Sequence, residues 1–408
     1  MLIISIIVFL FLCYLLIRNS KFEPLTVVAL FLKIGAGIGL GIVYKIYYQG
    51  GDTFQYFKEA TTIGNYLLGH PASFFNIYFC TDQVAELSGL IIYNAQPRAL
   101  LFSKIVSVFY IVTGGSYWVS SAFLSLISFS GIYVLVTELN KKFNNIKWVV
   151  IISFYFLPTF IFWSSGLLKE SIAMAALCFA VAIVVRFTRP RRYLKIVSWL
   201  ALIISLWLLW GIKYYYAAVT IPFLAILLIN NIGSSYGHLK GTIMVLSLFL
   251  FAFLMTGLHY NLNPSRILDI IYENYQVSTI SSGGRSIHYY HFDGSFQGFL
   301  LNLPIALFSG LFRPMIFEAA NLFQVIVSLE NLLVLITLLI ALRNFKLMEI
   351  LKKPIVIISF GYIIAFAVLL AFASPNFGTL SRYKVVYWPF FVLLVMILFL
   401  HKQKRPGS

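Results

Sequence analysis

The sequence is poor in charge, and acids are scarcer than bases. Of its 408 residues only 11% are charged, with 13 acidic residues against 30 Lys and Arg, whereas 61% are hydrophobic. The mean hydropathy is +0.91. A soluble domain carries about 25% charged residues. Because apolar runs of about 17 or more residues recur along the whole chain, the sequence predicts a polytopic helical membrane protein without a separate soluble domain.

The sequence also lacks the motifs of several enzyme and transporter classes. It contains no P-loop, which leaves ATP-driven transport without support, and neither an H-E-x-x-H nor a G-x-S-x-G motif. Its three cysteines, Cys13, Cys80 and Cys178, are far apart and do not have the spacing of metal ligands. In so apolar a chain the formal charge of +17 does not indicate nucleic acid. It predicts membrane topology and an affinity for anionic lipid or phosphate.

The apolar runs predict an all-α transmembrane helical bundle with about eleven crossings and two shorter half-segments. The crossings are expected at 2–17, 25–48, 117–138, 147–165, 169–187, 195–212, 215–231, 241–258, 320–342, 354–373 and 385–401. The runs 98–113 and 296–312 are interpreted as re-entrant or interfacial segments. This arrangement puts the short basic loops on one side, so the N-terminus is predicted outside and the C-terminus in the cytoplasm. Residues 1–408 then form a single integral membrane domain, whose outer loops 49–97 and 259–296 contain the proposed site.

A glycine pair and an acid follow directly on the second apolar run. Gly50 and Gly51 precede Asp52, and Tyr56 comes about one helical turn later on the same side. Two interpretations stay open. Asp52 is the N-cap of a surface helix with Glu59 as an ordinary exposed acid, or it is the working carboxylate of a surface-facing site.

Several cations are predicted on the outer face, where the positive-inside rule disfavours them. They are Lys169, Lys213, Arg313, Arg382 and Lys384 at helix ends or tight turns, and Arg285 in the long outer loop 259–296. Each is either an ion-pair partner or interface anchor, or a contact for a bound phosphate. Lys169 and Glu170 open a helix after the Gly166 turn, and a Lys–Glu surface pair is the alternative to anion binding there. Arg382, before the last helix, is the phosphate contact that the sequence favours most.

Metal and ion-coupling sites have weaker indications. His288, His291 and Asp293 lack a fixed helical or strand spacing and an evident fourth ligand, so no metal site is expected. Glu330 lies within a predicted crossing beside Asn331, and intramembrane acids of this kind occur in transporters driven by protons or sodium. One such acid is a thin basis for a transporter.

The order of these features resembles the integral membrane glycosyltransferases of the GT-C fold, which include bacterial lipid-linked-sugar transferases and polysaccharide polymerases. The resemblance is strongest at 48–59, 95–187 and 374–390. It implies that Asp52 is the general base or a metal ligand, and that Arg382 and Tyr383 match the arginine–tyrosine pair of that family. The chain departs from the family in having no second acid next to Asp52 and no soluble C-terminal domain, which favours a polymerase or a small transferase.

The resemblance implies an enzyme that transfers a sugar from a polyprenyl-phosphate- or diphosphate-linked donor at the extracytoplasmic face, in cell-envelope polysaccharide or glycolipid assembly. Asp52 would take the proton of an acceptor hydroxyl, and Tyr56 would stack on a sugar ring. The proposed phosphate contacts are Lys213, Arg382 and Lys384, with Lys169 or Arg285. The expected partners are the lipid bilayer, the donor, and a glycan or lipid acceptor, and no nucleic acid. No cofactor is required, although a divalent metal is compatible.

The expected location is the cell membrane, by default a bacterial inner membrane. Two other classes of function remain in view. The first is a transporter or flippase of a lipid-linked or anionic substrate, in which the outer cations form an entry vestibule. The second is a structural subunit of an envelope complex, which needs no pocket.

Overall fold

A computed structural model describes residues 1–79, 90–91, 96–188, 196–231, 259–281, 286–343 and 354–403. The predicted crossing 241–258 and the proposed phosphate contact Arg285 lie outside the described residues. Within the described part of the chain the secondary structure is helical, apart from one isolated bridge between Ser286 and Asn376.

The helices of the first half are listed here in chain order. They are α1 (Leu2–Asn19), α2 (Pro24–Ile46), α3 (Asp52–Gly69), α4 (Phe74–Phe79), α5 (Pro97–Val112), α6 (Tyr117–Lys142), α7 (Lys147–Tyr155), α8 (Pro158–Trp163), α9 (Lys169–Phe187) and α10 (Ile196–Asn231). Those of the second half are α11 (Pro264–Ser281), α12 (Phe296–Phe312), α13 (Leu322–Leu342), α14 (Pro354–Ala373), α15 (Phe377–Tyr383) and α16 (Trp388–Gln403).

Seven of the described helices are long and apolar enough to cross a membrane, namely α1, α2, α6, α9, α10, α13 and α14. An eighth candidate is the bent pair Phe377–Val386 and Trp388–Leu400, whose two halves meet at 70°. The prediction of a multi-pass helical membrane protein is therefore confirmed. The total of about eleven crossings and the orientation of the termini stay predictions.

One predicted crossing is divided into two helices, and two others are joined at a kink. The run 147–165 is not one helix but two short ones, α7 and α8, because Pro158 cannot donate a backbone hydrogen bond and disfavours helical geometry at the residue before it. The runs 195–212 and 215–231 correspond to the two helical segments of α10, which follow each other without a loop, as predicted. The break falls at Lys213, whose φ of −146° and ψ of 80° are not helical.

The two predicted half-segments are uninterrupted helices. They are α5, with 16 residues, and α12, with 17 residues. Both are shorter than the roughly 20 residues that a spanning helix needs. Their interpretation as re-entrant or interfacial segments stays a prediction.

The chain divides into two compact units. Unit 1 comprises Met1–Thr137, Ile161–Ala180 and Ile196–Tyr215, and unit 2 comprises Glu138–Phe160, Val181–Lys195 and Tyr216–Ser408. Whether they form the single integral membrane domain expected from the sequence stays a prediction.

Small residues bring helices close together inside each unit. In unit 1 a Cβ on Gly131 of α6 would lie 2.6 Å from the carbonyl oxygen of Ala175 in α9. In unit 2 a Cβ on Gly310 of α12 would lie 2.2 Å from the carbonyl oxygen of Ala367 in α14. Close backbone approach at small residues is the usual way in which membrane helices associate.

Candidate functional site

In unit 1 the candidate site begins where α3 starts. Gly50 and Gly51 have φ angles of 132° and 77°, which only glycine adopts readily, and they turn the chain from α2 into α3. Gly51 is the N-cap, so Asp52 is the first residue of the helix rather than its cap. A carboxylate in the first turn interacts favourably with the positive end of the helix dipole. Asp52 is half-buried.

Two further side chains lie on the same face of α3 as Asp52. Tyr56 is 2% exposed and packs edge-on against Phe102 of α5, with 5.0 Å between ring centroids. Glu59 is only 1% exposed and accepts a hydrogen bond of 2.9 Å from Ser103 Oγ. The interpretation of Glu59 as an ordinary exposed acid was wrong, because the helix turns residues 52, 56 and 59 onto the face that packs on α5.

The turn that precedes α9 is held by neighbouring helices of unit 1. Lys33 Nζ in α2 donates a hydrogen bond to Ser164 Oγ. From α6, Ser128 Oγ donates to the carbonyl oxygen of Ser164 at 2.7 Å, and Ser125 Oγ accepts from the backbone N–H of Gly166 at 2.9 Å. These hydrogen bonds provide partners for the buried polar groups of the turn. They fix the point at which α9 begins with Lys169 and Glu170.

Glu170 is buried, so it does not belong to the exposed surface pair that was the alternative interpretation. Lys169 Nζ lies 5.1 Å from the ring centroid of Tyr56, within cation–π range, and stays partly exposed. Glu170 is fully buried and makes an ion pair of 2.7 Å with Lys213 Nζ. The break in α10 falls at Lys213. Its charge is thereby compensated inside the protein.

Unit 1 therefore brings four of the predicted site residues into two direct contacts. Tyr56 meets Lys169, and Glu170 meets Lys213. The contacts join α3, the start of α9 and the break in α10. The two residues of each contact are far apart in the sequence, so local spacing could not predict these contacts.

The other predicted cations that the structure describes, Arg313, Arg382 and Lys384, lie in unit 2. Asn376 Oδ1 caps α15 by accepting hydrogen bonds from the backbone of Gly378 and Thr379. Arg382, in the last turn of that helix, is 9% exposed, and its guanidinium lies 6.0 Å from the Tyr383 ring centroid. Tyr383 also accepts a hydrogen bond of 2.9 Å at its backbone oxygen from the Tyr216 hydroxyl.

Lys384 is buried beside the bend between α15 and α16. Its Nζ donates to Asn331 Oδ1 at 2.9 Å and to the Leu311 carbonyl at 3.0 Å, and it lies 4.0 Å from the Trp388 ring centroid. Asn331, which the sequence analysis noted only as a neighbour of Glu330, thus holds a predicted phosphate contact in place.

Glu330 is surrounded by neutral donors. Its carboxylate accepts hydrogen bonds from the backbone N–H of Thr159, at 3.0 Å, and from the indole Nε1 of Trp388. Sequence reasoning missed both donors. Trp388 carried a weak signal, because an indole N–H that is buried normally needs an acceptor.

Arg313 forms an ion pair with Glu318 in unit 2. Its Nε donates to Glu318 Oε1 at 2.8 Å, and its guanidinium lies 4.8 Å from the ring centroid of Phe377. Both residues are partly buried. Arg313 therefore already has an internal carboxylate partner, which accounts for a cation at the end of α12.

The described part of the connection between α11 and α12, residues 286–295, contains aromatic side chains that pack on α14. Tyr289 stacks on Phe372 with 4.7 Å between ring centroids, and burial raises the pKa of its hydroxyl. Hydrogen bonds from Ser295 lower the pKa of the Asp293 carboxyl. Among the described residues, no group of three or more His, Cys, Asp or Glu side chains is placed to hold a metal ion.

No protein-family model matches the chain, and neither a curated protein nor a solved structure is significantly similar to it. The resemblance to GT-C glycosyltransferases therefore stays an expectation from the sequence.

Proposed function

We propose that this protein is a membrane glycosyltransferase of cell-envelope polysaccharide or glycolipid assembly, and that Asp52 is its general base. The donor is a sugar linked to polyprenyl phosphate or diphosphate, used at the extracytoplasmic face of a bacterial inner membrane. Two contacts in unit 1 support the proposal most. Tyr56 of α3 contacts Lys169 at the start of α9, and Glu170 of α9 pairs with Lys213 at the break in α10.

The chemistry assigned to these residues is a displacement at the anomeric carbon of the donor. The acceptor hydroxyl forms the new C–O bond and gives its proton to the Asp52 carboxylate, while the bond from the anomeric carbon to the phosphate oxygen breaks. The phosphate leaves with that electron pair. A positioned base contributes about 10²- to 10⁴-fold to such a rate. No nucleotide is needed, because the lipid-linked phosphate already provides the activated bond.

Lys169 is the residue of unit 1 to which we assign the leaving phosphate. It is partly exposed, and its ammonium lies over the ring of Tyr56. Lys213 has a different role, because Glu170 already neutralises its charge in a buried ion pair. That pair fixes the start of α9 and therefore the position of Lys169. A cation that is held in place before the reaction stabilises charge at little cost in reorganisation.

The test compares two variants with the wild-type protein in cells that lack the chromosomal copy. Asp52→Asn should lower the lipid-linked and polymeric glycan recovered from the envelope, quantified by mass spectrometry, by about 100-fold or more. Asp269→Asn is the matched control, because Asp269 is an exposed acid in α11 of unit 2. Membrane levels of each variant are measured by immunoblot. Wild-type glycan in cells with normal amounts of Asp52→Asn would refute the assignment of Asp52.

A transporter of a lipid-linked anionic substrate is the second candidate, and one observation favours it. Lys33 and Glu330 lie near the middle of the candidate spans α2 and α13, and the bent pair that contains Lys384 is a broken helix. Intramembrane charges and broken helices are common at transporter binding sites.

Proteoliposomes that contain a fluorescent polyprenyl phosphate separate the two functions. A transporter would move the probe between leaflets without any acceptor, and Glu330→Gln would stop it. A transferase would leave the leaflet distribution unchanged. The exposed acid Glu273 provides the control variant, Glu273→Gln.

A further inference from the structure

Unit 2 contains an open apolar groove between α11, α12 and α14. Its volume is 660 Å³, and its walls include Ile267 and Ile271 of α11, Phe299 and Leu303 of α12, and Val368 of α14. Ligand pockets usually have volumes of about 300–1,000 Å³. Because every residue that lines the groove is apolar, its occupant has to be a hydrocarbon rather than a polar molecule.

Helix α11 has two different faces. Ile267, Leu268 and Ile271 face the groove, whereas Asp269 and Glu273 are exposed. An amphipathic helix of this kind suits the boundary between lipid headgroups and acyl chains. The opposite wall belongs to α14, one of the candidate membrane-spanning helices. The groove thus joins an interfacial helix to a spanning one.

The length of the groove favours a chain that belongs to one leaflet. Its α12 wall extends from Phe296 to Leu303. At 1.5 Å per residue this is about 10 Å. The hydrocarbon core of a bilayer is about 30 Å thick, so one leaflet contributes about 15 Å. An acyl chain of one leaflet matches this length better than a long isoprenoid chain does.

A cation stands at the end of α11 that is next to Ile267. The Arg266 guanidinium lies 4.1 Å from the ring centroid of Tyr260, an exposed residue. Arg266 Nε is buried, and nothing in the described part of the chain accepts a hydrogen bond from it. Asp269 does not form an ion pair with Arg266 in the described structure. A cation in the first turn of a helix is also unfavourable for the helix dipole, which points to an anionic partner for Arg266.

We propose that a bilayer phospholipid with an anionic headgroup binds to unit 2. One acyl chain occupies the groove, and the phosphate interacts with the Arg266 guanidinium. This site is additional to the sugar transfer assigned to Asp52, and it does not depend on that assignment.

The experiment uses phosphatidylglycerol that carries a diazirine in one acyl chain, with the full-length protein in nanodiscs. After irradiation, labelled peptides are identified by mass spectrometry. We expect labelling of 267–271 and 296–303 that saturates and is displaced by unlabelled phosphatidylglycerol. Leu329 and Leu333 of α13 are 47% and 66% exposed and serve as the reference for unspecific contact with lipid, which should not saturate.

Two variants test the groove and the cation separately. Ala365→Trp fills the groove from α14 and should abolish saturable labelling, whereas Leu333→Trp, on an exposed position, should not. Arg266→Gln should raise the phosphatidylglycerol concentration needed for half-maximal labelling by about tenfold, as expected for the loss of a charge-assisted hydrogen bond. Arg343→Gln is its control, since Arg343 is an exposed arginine of the same unit.

Three results would overturn the proposal. Labelling of the groove that does not saturate would mean ordinary contact with bulk lipid. Unchanged saturable labelling in both Ala365→Trp and Arg266→Gln would place the bound lipid elsewhere. Displacement by a polyprenyl phosphate but not by phosphatidylglycerol would identify a different occupant.

Discussion

The two units stabilise a buried lysine side chain in different ways. In unit 1 Lys213 contacts the carboxylate of Glu170 at 2.7 Å, and both side chains are at most 3% exposed. In unit 2 Lys384 donates to neutral oxygens of Asn331 and Leu311. Glu330, the nearby acid, accepts from neutral N–H groups instead. In the described part of unit 2, Lys384 and Glu330 do not form a direct ion pair.

The difference determines what happens when one partner is removed. A buried ion pair that loses one member leaves an uncompensated charge, which costs far more than the pair contributes as a whole. In a network of neutral partners the same deletion leaves unsatisfied dipoles, each of which costs less. We therefore expect the two lysines to differ in their effect on stability, although both are almost fully buried.

The largest effect is expected for Lys213→Met. It leaves the Glu170 carboxylate buried and without its ion-pair partner, so the free energy of unfolding should fall by about 3–5 kcal/mol. Unfolding in mixed detergent micelles with increasing sodium dodecyl sulfate provides the measurement. Lys58→Met is the control, because Lys58 is an exposed lysine of the same unit.

The double variant Lys213→Met, Glu170→Gln isolates the pair. If the ion pair is the cause, removal of both charges should restore most of the stability that the single variant loses. A single variant no less stable than Lys58→Met would show that the pair contributes nothing measurable.

A smaller loss is expected for Lys384→Met in unit 2. The methionine fills a similar volume. The change removes the contact with the Trp388 ring and leaves the oxygens of Asn331 and Leu311 without this donor, at about 1–3 kcal/mol. Lys147→Met, an exposed position in the same unit, is the control. A loss equal to that of Lys213→Met would contradict the comparison and show that the charge of Glu330 acts on Lys384 through space.

Tyr289 offers a third case, a buried hydroxyl without a charge. Burial raises the pKa of this group above its usual value of about 10, so the folded state favours the protonated form. The resulting stability is complete below pH 10 and is lost as the pH rises further, by at most about 1.4 kcal/mol per pH unit. Tyr289→Phe should remove this part of the alkaline slope in unfolding measurements between pH 9 and 12.

The neighbouring residue supplies the control for this slope. Tyr290 is 63% exposed, so Tyr290→Phe is the control for removing a tyrosine hydroxyl that is not buried. Equal slopes for wild type and Tyr289→Phe would mean that Tyr289 does not ionise during unfolding in this range.

The apolar runs predicted most of the fold because hydrophobic length is a local property. Helices α2, α6 and α9 begin and end within a few residues of the predicted crossings. Within the predicted crossing 147–165, average hydropathy did not reveal that Pro158 divides the run into two short helices. The break of α10 at Lys213 falls between the predicted crossings 195–212 and 215–231, where the sequence analysis placed it.

The contacts of the candidate site depended on tertiary structure and were less predictable. Adjacent residues of a helix do not face each other, which argued against a pair between Lys169 and Glu170. The sequence could not indicate that Lys213, 43 residues further on, is the partner of Glu170. Glu59 had a detectable signal, since helical periodicity puts it on the same face as Asp52 and Tyr56.

The smallest effect on stability is expected for Asp52→Asn. Asp52 is half-buried in the first turn of α3, where its charge interacts with the helix dipole for about 0.3–1 kcal/mol. Its loss should therefore change the unfolding midpoint in detergent far less than Lys213→Met does. The stability measurement is needed to interpret the activity test. If Asp52→Asn folds normally but makes no glycan, the substitution has removed a catalytic group and has not disrupted the structure. If Asp52→Asn instead destabilised the protein by several kcal/mol, its carboxylate would belong to the same structural class as Glu170, and another group would have to serve as the base.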